Sequence, residues 1–367
     1  MKVTCKRENL SDAFQLVSGV VEARATKQIL QDVKIEASGN ALELSATDLE
    51  IGIKCQVDAV EVKEEGAAVV PAASMNSILR ESSDEAIELS LEKDNCEVRG
   101  QDSYFRLPTQ NPDEFPVIPG FPEETTIEIG RDDLRTMIRR TVFAVAVEQT
   151  RYALNGLLFR LKRGKLTIVA TDGRRLAQIT RKAKVQSTEV KHAIVPTKAV
   201  SLLEKMLTEE EEEVRLAFRE NKLWAQTGAT VLCAALVEGQ FPDYEAIIPS
   251  DCDVKIGIAT SELLSAVRRA ALLTDEESRV LRLGFAENLL TLRYEAPERG
   301  EAKVEMGLKY DGAPLEICFN PQFILDMLKA IEEEEVRMEL KDGASAGVIR
   351  AGDDYLYLLM PISLSEE

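Results

Sequence analysis

Apolar side chains recur with helical spacing at three places: Leu10, Ala13, Phe14 and Val17; Leu134, Met137 and Ile138; Leu263, Ala266 and Val267. Steps of three and four put each set on one face of a helix. Asn9, Asp132 and Ser261 lie near the starts, where a short polar side chain can accept the orphan N–H groups of a first turn. After each helix the period drops to two. Residues 33–37 and 42–45 alternate about Ser38-Gly39-Asn40, which predicts a hairpin with a glycine-bearing turn. The pattern returns at 157–161 and 166–169 about Arg163-Gly164-Lys165, and at 280–285 and 290–293 about Glu287-Asn288.

These landmarks keep a fixed period. Pro71, Pro196 and Pro321 are spaced by 125, and Leu42, Leu166 and Leu290 by 124. Apolar residues follow each proline at offsets four and seven: Met75 and Ile78, Val200 and Leu203, Leu325 and Leu328. That predicts a second short helix in each copy, opened by a proline whose missing N–H costs nothing there. Solenoid repeats run roughly 20–50 residues, so a unit of this length is a whole domain built three times. Pro-rich stretches at 111–124 and 242–251 mark the boundaries, giving domains 1–125, 126–250 and 251–367. Two helices on antiparallel sheets in each make the fold class α+β. Three similar domains in a row suit an assembly surface better than one catalytic cleft.

Composition narrows the chemistry. A hydrophobic content of 45% with 30% charged residues is that of a globular chain, with no apolar run near the roughly 18 residues of a membrane span. The N-terminus meets charge at Lys2, Lys6 and Arg7 without a signal-peptide core, so the expected location is cytoplasmic, with no membrane partner. Six scattered cysteines form no C-x-x-C, and His192 is the single imidazole. No metal or cofactor is therefore expected, and the cysteines read as small core hydrophobes. Phosphate-binding glycine loops, a nucleophile elbow and H-E-x-x-H are all missing, and no carboxylate pair stands out, so no catalytic residue is expected.

A net charge of −19 opposes binding DNA over the whole surface, yet bases gather on the predicted helices: Arg135, Arg139 and Arg140; Lys198 and Lys205; Arg268 and Arg269; Lys329. Lining a channel, they could contact phosphates without reading bases. The acidic runs 209–213 and 332–335 read as solvated turns. Thr171-Asp172-Gly173, matched by Thr47-Asp48, reads as a turn in which the aspartate satisfies backbone N–H groups. The chain end, 355–364, starts as a strand, but Pro361 cannot stay in a central ladder. Met360 onward reads as the lip of an apolar groove.

Leu154-Asn155-Gly156, Thr171-Asp172-Gly173-Arg174-Arg175-Leu176, Phe241-Pro242-Asp243-Tyr244 and Leu359-Met360-Pro361, in this order within a threefold repeat, resemble the bacterial DNA polymerase III β subunit family, the sliding clamps. The resemblance implies a head-to-tail homodimer whose six domains ring double-stranded DNA without sequence preference. It also implies a groove that docks the replicative polymerase, the clamp loader and other proteins carrying a clamp motif. Carried over by position, the groove would use Leu154, Thr171, Gly173, Arg174, Arg175, Leu176, Pro242, Ile247, Leu358, Leu359, Met360, Pro361 and Ile362. The DNA contacts would be Arg24, Arg80, Gln149, Tyr152 and Lys198, and the dimer would join Phe105 and Leu107 to Leu272 and Leu273. Arg174 stands where relatives often have histidine, Ser363 stands where they often have the arginine of an ending Met-Pro-x-Arg-Leu, and an acidic extension, Ser365-Glu366-Glu367, follows. The competing readings are a scaffold that never encloses DNA and a carboxylate-dependent hydrolase.

Overall fold

The computed structural model describes residues 1–59, 61–122, 127–147, 152–185, 191–207, 212–274, 279–296 and 299–363. Its first repeat runs β1 (Lys2–Lys6), α1 (Arg7–Ser18), β2 (Asp32–Ser38), β3 (Ala41–Thr47), β4 (Ile51–Asp58), β5 (Glu61–Glu64), β6 (Gly66–Pro71), α2 (Ala72–Glu81), β7 (Ala86–Glu92), β8 (Asn95–Arg99) and β9 (Tyr104–Pro108). The second runs β10 (Ile127–Gly130), α3 (Arg131–Arg139), β11 (Gly156–Lys162), β12 (Lys165–Thr171), β13 (Arg175–Lys182), β14 (Lys184–Val185), β15 (Lys191–Pro196), α4 (Thr197–Met206), β16 (Glu213–Arg219), β17 (Lys222–Thr227) and β18 (Thr230–Ala235). The third runs β19 (Val254–Ala259), α5 (Thr260–Ala270), β20 (Leu281–Ala286), β21 (Leu289–Ala296), β22 (Gly300–Gly307), β23 (Leu315–Phe319), α6 (Pro321–Ala330), β24 (Glu335–Leu340), β25 (Gly347–Ala351) and β26 (Tyr355–Leu359).

The helical faces read from the sequence are the buried ones: Leu10, Phe14 and Val17 on α1, Leu134, Met137 and Ile138 on α3, Leu263 and Val267 on α5. Burying each large apolar side chain is worth about 1.5–3 kcal/mol. The helix starts differ from expectation. α1 and α5 begin ahead of Asn9 and Ser261 and have no side-chain cap. Their first N–H groups donate instead to main-chain carbonyls just before a paired strand: Arg7 to Glu85 at 2.9 Å and Thr260 to Glu334 at 2.8 Å, with Arg131 to Glu212 at 2.9 Å on α3. Strand pairing supplies the cap, so none is needed from the side chains. The prolines also divide. Pro71 and Pro196 close strands β6 and β15, and only Pro321 is a first helical residue, because Asn320 intervenes and caps α6 by accepting the Gln322 N–H at 2.9 Å.

Contact divides the chain into two compact units, and the cut runs through the second repeat. One comprises Met1–Arg135, Ala183–Thr188 and Lys198–Leu236; the other comprises Thr136–Lys182, Glu189–Thr197 and Val237–Glu367. The first holds a five-stranded sheet, β5-β1-β7-β8-β9, and a nine-stranded sheet, β14-β10-β16-β17-β18-β4-β3-β2-β6. The second holds an eight-stranded sheet, β15-β11-β12-β13-β26-β25-β24-β19, and a four-stranded sheet, β22-β21-β20-β23. Among the described residues every strand pair is antiparallel, as the hairpin patterns require, and the arrangement is α+β. At the tip between β11 and β12, Arg163 and Gly164 both take positive φ (51° and 72°), the twist-matched two-residue turn.

Each large sheet is a seam. β18 of the second repeat pairs with β4 of the first, and β26 of the third pairs with β13 of the second. All six cysteines are buried free thiols, and His192 lies exposed on β15 opposite Arg160. Among the described residues no helix is long and apolar enough to cross a membrane.

Candidate functional site

The seam between β13 and β26 opens with the Thr171–Arg175 turn. Asp172 Oδ1 accepts the N–H groups of Arg174 (2.9 Å) and Arg175 (3.0 Å), and Thr171 Oγ1 accepts that of Gly173 at 3.1 Å while donating to the Arg175 carbonyl at 2.6 Å. Gly173 sits at φ 86°, a conformation that favours glycine, although Leu49 adopts φ 80° in the matching turn of the first repeat. This is the turn chemistry that Thr-Asp-Gly predicts.

Beyond the turn, strand alternation sorts the candidate residues by face. Leu176 lies opposite Leu358, and both join a buried apolar cluster with Leu158, Val169, Ile194, Tyr244, Val348 and Leu356. Val237, Phe241, Ile248, Ala153 and Ala346 pack around it. Arg175 lies opposite Leu359 on the other face. Register thus places Arg175 and Leu359 on the face opposite Leu176 and Leu358, the four residues that the sequence reading assigns to one wall. Arg175 is buried, reaching Asp172 (3.0 Å), Asp326 of α6 (2.7 Å) and the Phe143 carbonyl (2.6 Å), with Phe323 stacked 4.3 Å away.

Leu154 and Thr171 are buried, whereas Gly173, Arg174 and Pro242 are exposed. Ile247 is 51% and Met360 44% exposed. The strand end is pinned by its backbone: Met360 N–H donates to the Arg174 carbonyl and Ile362 N–H to the Cys318 carbonyl, each at 2.9 Å. Pro361 and Ile362 are half-buried between these two bonds. Tyr244, Phe241, Val237, Ile248 and Val348 are members or neighbours of the cluster that the sequence reading does not name among its groove candidates. Only Phe241-Pro242-Asp243-Tyr244 carries a signal, since the rest come together through strand order.

The basic residues are less free than the sequence suggests. Arg24 is exposed, and Arg80 pairs with Glu81 at 3.0 Å in the open. Lys198 is held by Glu22 (2.9 Å) and Asp48 (2.6 Å). Partial burial pulls its pKa down, but hydrogen bonds to these carboxylates raise it overall, so the amine stays charged. Gln149 and the side chain of Tyr152 lie outside the described residues. Arg140, expected on an open helix face, is buried and paired with Glu333 at 2.7 Å, and Arg139 meets Glu332 at 2.6 Å. The 332–335 run is thus in part an ion-pair site. The hydrogen bond from Arg139 holds the Glu332 carboxyl below its usual range. Arg135, Arg268, Arg269, Lys205 and Lys329 remain exposed.

Two sheet edges complete the picture. β9 ends the five-stranded sheet and β22 ends the four-stranded one. Phe105 on β9 is 40% exposed and Leu107 is buried; Leu272, 79% exposed, and half-buried Leu273 lie in a short turn that packs beside β22. Behind β9, buried Glu97 accepts from Arg99 (2.7 Å), Arg106 (3.0 Å) and the Tyr104 hydroxyl (2.5 Å). These bonds hold its carboxyl at about 2, below the ordinary 4.5. A depressed carboxylate stabilises the fold above its unfolded pKa and stops doing so as pH falls through the folded value. Glu97→Gln should therefore lose stability near neutrality and show a shallower decline from about pH 4.5 to about 2. Urea midpoints measured across that window check it, and parallel profiles for the two proteins would exclude it.

Models of three domains of the DNA polymerase III beta subunit match the chain: the N-terminal domain over residues 1–119, the central domain over 128–243 and the C-terminal domain over 245–363. The beta sliding clamps of Pseudomonas aeruginosa and Escherichia coli are each 35% identical to it, over 99% of this chain and 100% of theirs. Among solved structures, the Pseudomonas aeruginosa DNA polymerase III subunit beta has a TM-score of 0.93 at 35% identity, covering 99% of this chain and 100% of its own. The Bacillus subtilis DNA polymerase sliding clamp reaches 0.94 at 27% identity over 100% of both chains. A Pseudomonas aeruginosa clamp solved with griselimycin bound reaches 0.94 at 35% identity, over 99% and 100%.

Proposed function

The chain belongs to the DNA polymerase III beta subunit family, and from that premise we propose that two copies close head to tail into a ring around double-stranded DNA, tethering the replicative polymerase by an apolar groove. The ring is a sliding clamp built from domains 1–125, 126–250 and 251–367. It raises processivity by topology and performs no catalysis of its own.

One observation carries the reading. β9, β18 and β26 are equivalent strands of the three repeats, as are β4, β13 and β22. β18 pairs with β4 and β26 with β13, which leaves β9 and β22 as the unmatched members. A second copy offers β22 to β9 and β9 to β22, and two such contacts close a ring. The repeat equivalence also suggests a register for this contact. Phe105 corresponds to Leu232 and Tyr357, and Ala302 to their partners Ile53 and Ala177. Phe105 therefore faces Ala302 of the second copy, and the next pair along sets Arg106 against Glu301, opposite in charge. Leu107 of β9 comes next to Gly300, with Leu272 and Leu273 alongside.

The charge pattern suits sliding. Arg24, Arg80, Gln149, Tyr152 and Lys198 are the proposed contacts to phosphate, made without base readout. Two carboxylates on Lys198 keep its hold on DNA weak, and a weak hold favours movement. The cluster around Leu176, Leu358 and Tyr244, with Met360 and Ile247 at its margin, suits short apolar peptides of the polymerase, the clamp loader and other clamp-motif proteins. Griselimycin bound to the Pseudomonas aeruginosa relative is in keeping with such a ligand.

The test is retention on DNA of two shapes. Protein loaded on a nicked circle by a clamp loader should persist on the circle and leave when the circle is cut once. Equal release from cut and uncut DNA would replace the ring with ordinary surface binding or a scaffold.

A further inference from the structure

The same turn fastens both seams, in two ways. In the first, Asp48 Oδ1 accepts the N–H groups of Glu50 (3.0 Å) and Ile51 (2.7 Å), while Oδ2 meets Lys198 Nζ of α4 at 2.6 Å. In the second, Asp172 Oδ1 accepts Arg174 and Arg175 N–H, while Oδ2 meets Arg175 Nε at 3.0 Å. Arg175 Nη1 then reaches Asp326 Oδ2 on α6 at 2.7 Å. Each turn carboxylate is thus tied to the second helix of the following repeat, directly by a lysine or through an arginine. Each turn also holds the end of the adjoining strand, Ala235 N–H on the Glu50 carbonyl (2.8 Å) and Met360 N–H on the Arg174 carbonyl (2.9 Å). Only in the second seam is that held residue a large, exposed apolar one, two positions on from Leu358 of the cluster.

We propose that Asp326 is a positioning residue for the peptide groove, acting through Arg175 to fix the Asp172–Arg174 turn and with it Met360. The inference rests on the groove reading above. Arg175 has no slack: its third arm donates to the Phe143 carbonyl at 2.6 Å, and its guanidinium is flanked by Phe323 at 4.3 Å and Phe143 at 5.6 Å. Asp326 is itself aligned by Gln322, whose Nε2 donates to Oδ1 at 2.6 Å. Removing the carboxylate takes a charged partner from a buried guanidinium, and its remaining contacts, to Asp172, the Phe143 carbonyl and the Tyr357 hydroxyl, must readjust around it. The turn then loses its outer support, and the Arg174 carbonyl no longer holds Met360 in one place. Asp326 is not part of the apolar cluster, so any effect on a groove ligand must travel through this chain of bonds.

Labelled griselimycin, read by fluorescence anisotropy on the full-length ring, supplies the probe. Asp326→Ala should bind it about five- to tenfold more weakly, the size of a modest coupling between sites. Hydrogen exchange at the Met360 amide should rise in the same variant with no ligand present. In a double-mutant cycle, Asp326→Ala should add little on an Arg175→Met background, because both act on one path. Asp48→Asn, which loosens the matching tie at the other seam, should leave griselimycin binding unchanged. Equal binding by Asp326→Ala and the unmodified protein would overturn the inference, and so would equal weakening by Asp48→Asn, which marks general loosening. Failure of the unmodified protein to bind would instead overturn the groove reading on which it stands.

Discussion

Replacing Phe105 with aspartate should reduce the ring to single folded chains. In one chain Phe105 is 40% exposed, so the new carboxylate meets water and displaces no core neighbour. Substitutions at such surface positions usually stay within about 0.5 kcal/mol, so the melting transition should barely move. Pairing changes the environment. Leu232, Ile53, Tyr357 and Ala177, the residues at the same two positions in the other seams, are all buried. Aspartate there forfeits about 1.5–3 kcal/mol of phenyl burial and adds the penalty of an enclosed charge. Nothing beside it repairs the loss, since Ala302 carries no donor and Lys303 alternates to the opposite face of β22. In the proposed ring the two head-to-tail interfaces are identical, so each substitution counts twice. At about 3 kcal/mol per interface the ring loses about 6 kcal/mol, or roughly four orders of magnitude in association. Sedimentation velocity near the concentration where the unmodified protein is a dimer should show a monomer. Retention on nicked circles should vanish with it. A dimer of ordinary strength in this variant would take β9 out of the interface and with it the equivalence of the three seams.

The sequence is most legible where the interactions are local. Helical faces such as Leu10–Phe14–Val17 and the tip Arg163-Gly164 depend on neighbours a few residues away, and the periodicity records them directly. The Asp172 turn is legible for the same reason. The helix caps are not, because the acceptors for Arg7, Arg131 and Thr260 come from carbonyls about 80 residues on, brought in by strand pairing. Register likewise decides that Arg175 faces α6 while Leu176 faces the apolar cluster, although the two are adjacent in sequence. A charge count cannot foresee that Arg140 is buried on Glu333 or that Glu97 anchors three side chains. The cluster itself collects residues from six strands and a loop, so only Phe241-Pro242-Asp243-Tyr244, the neighbouring turn and the following Met360-Pro361 are recognisable as sequence. What the chain spells out is the repeat; what it leaves implicit is which edge each strand meets.

Substituting Met360 and Pro361 together by alanine should separate partner docking from ring closure. Met360 stands at the end of β26 with its N–H on the Arg174 carbonyl, so the thioether projects from a fixed point and is still 44% exposed. Its removal therefore takes little from the folded chain, whereas a bound peptide would lose a contact worth about 2 kcal/mol. Pro361 adds a different contribution. Its ring restricts the backbone between the bonds made by Met360 and Ile362, and alanine there returns up to about 1 kcal/mol of chain freedom that binding must remove. Together the losses approach about 3 kcal/mol, a weakening of about a hundredfold for griselimycin or a polymerase peptide. Leu358 and Leu359, buried in the seam, stay in place, and the edges β9 and β22 belong to other sheets. The variant should thus sediment as a dimer and, once on a closed circle, remain there until the circle is cut. In primer extension it should fail to lengthen the polymerase's runs, because a ring that cannot hold its partner confers no processivity. Full stimulation by this variant would mean that the polymerase docks elsewhere, and loss of the dimer would mean that residues 360–361 support the ring itself.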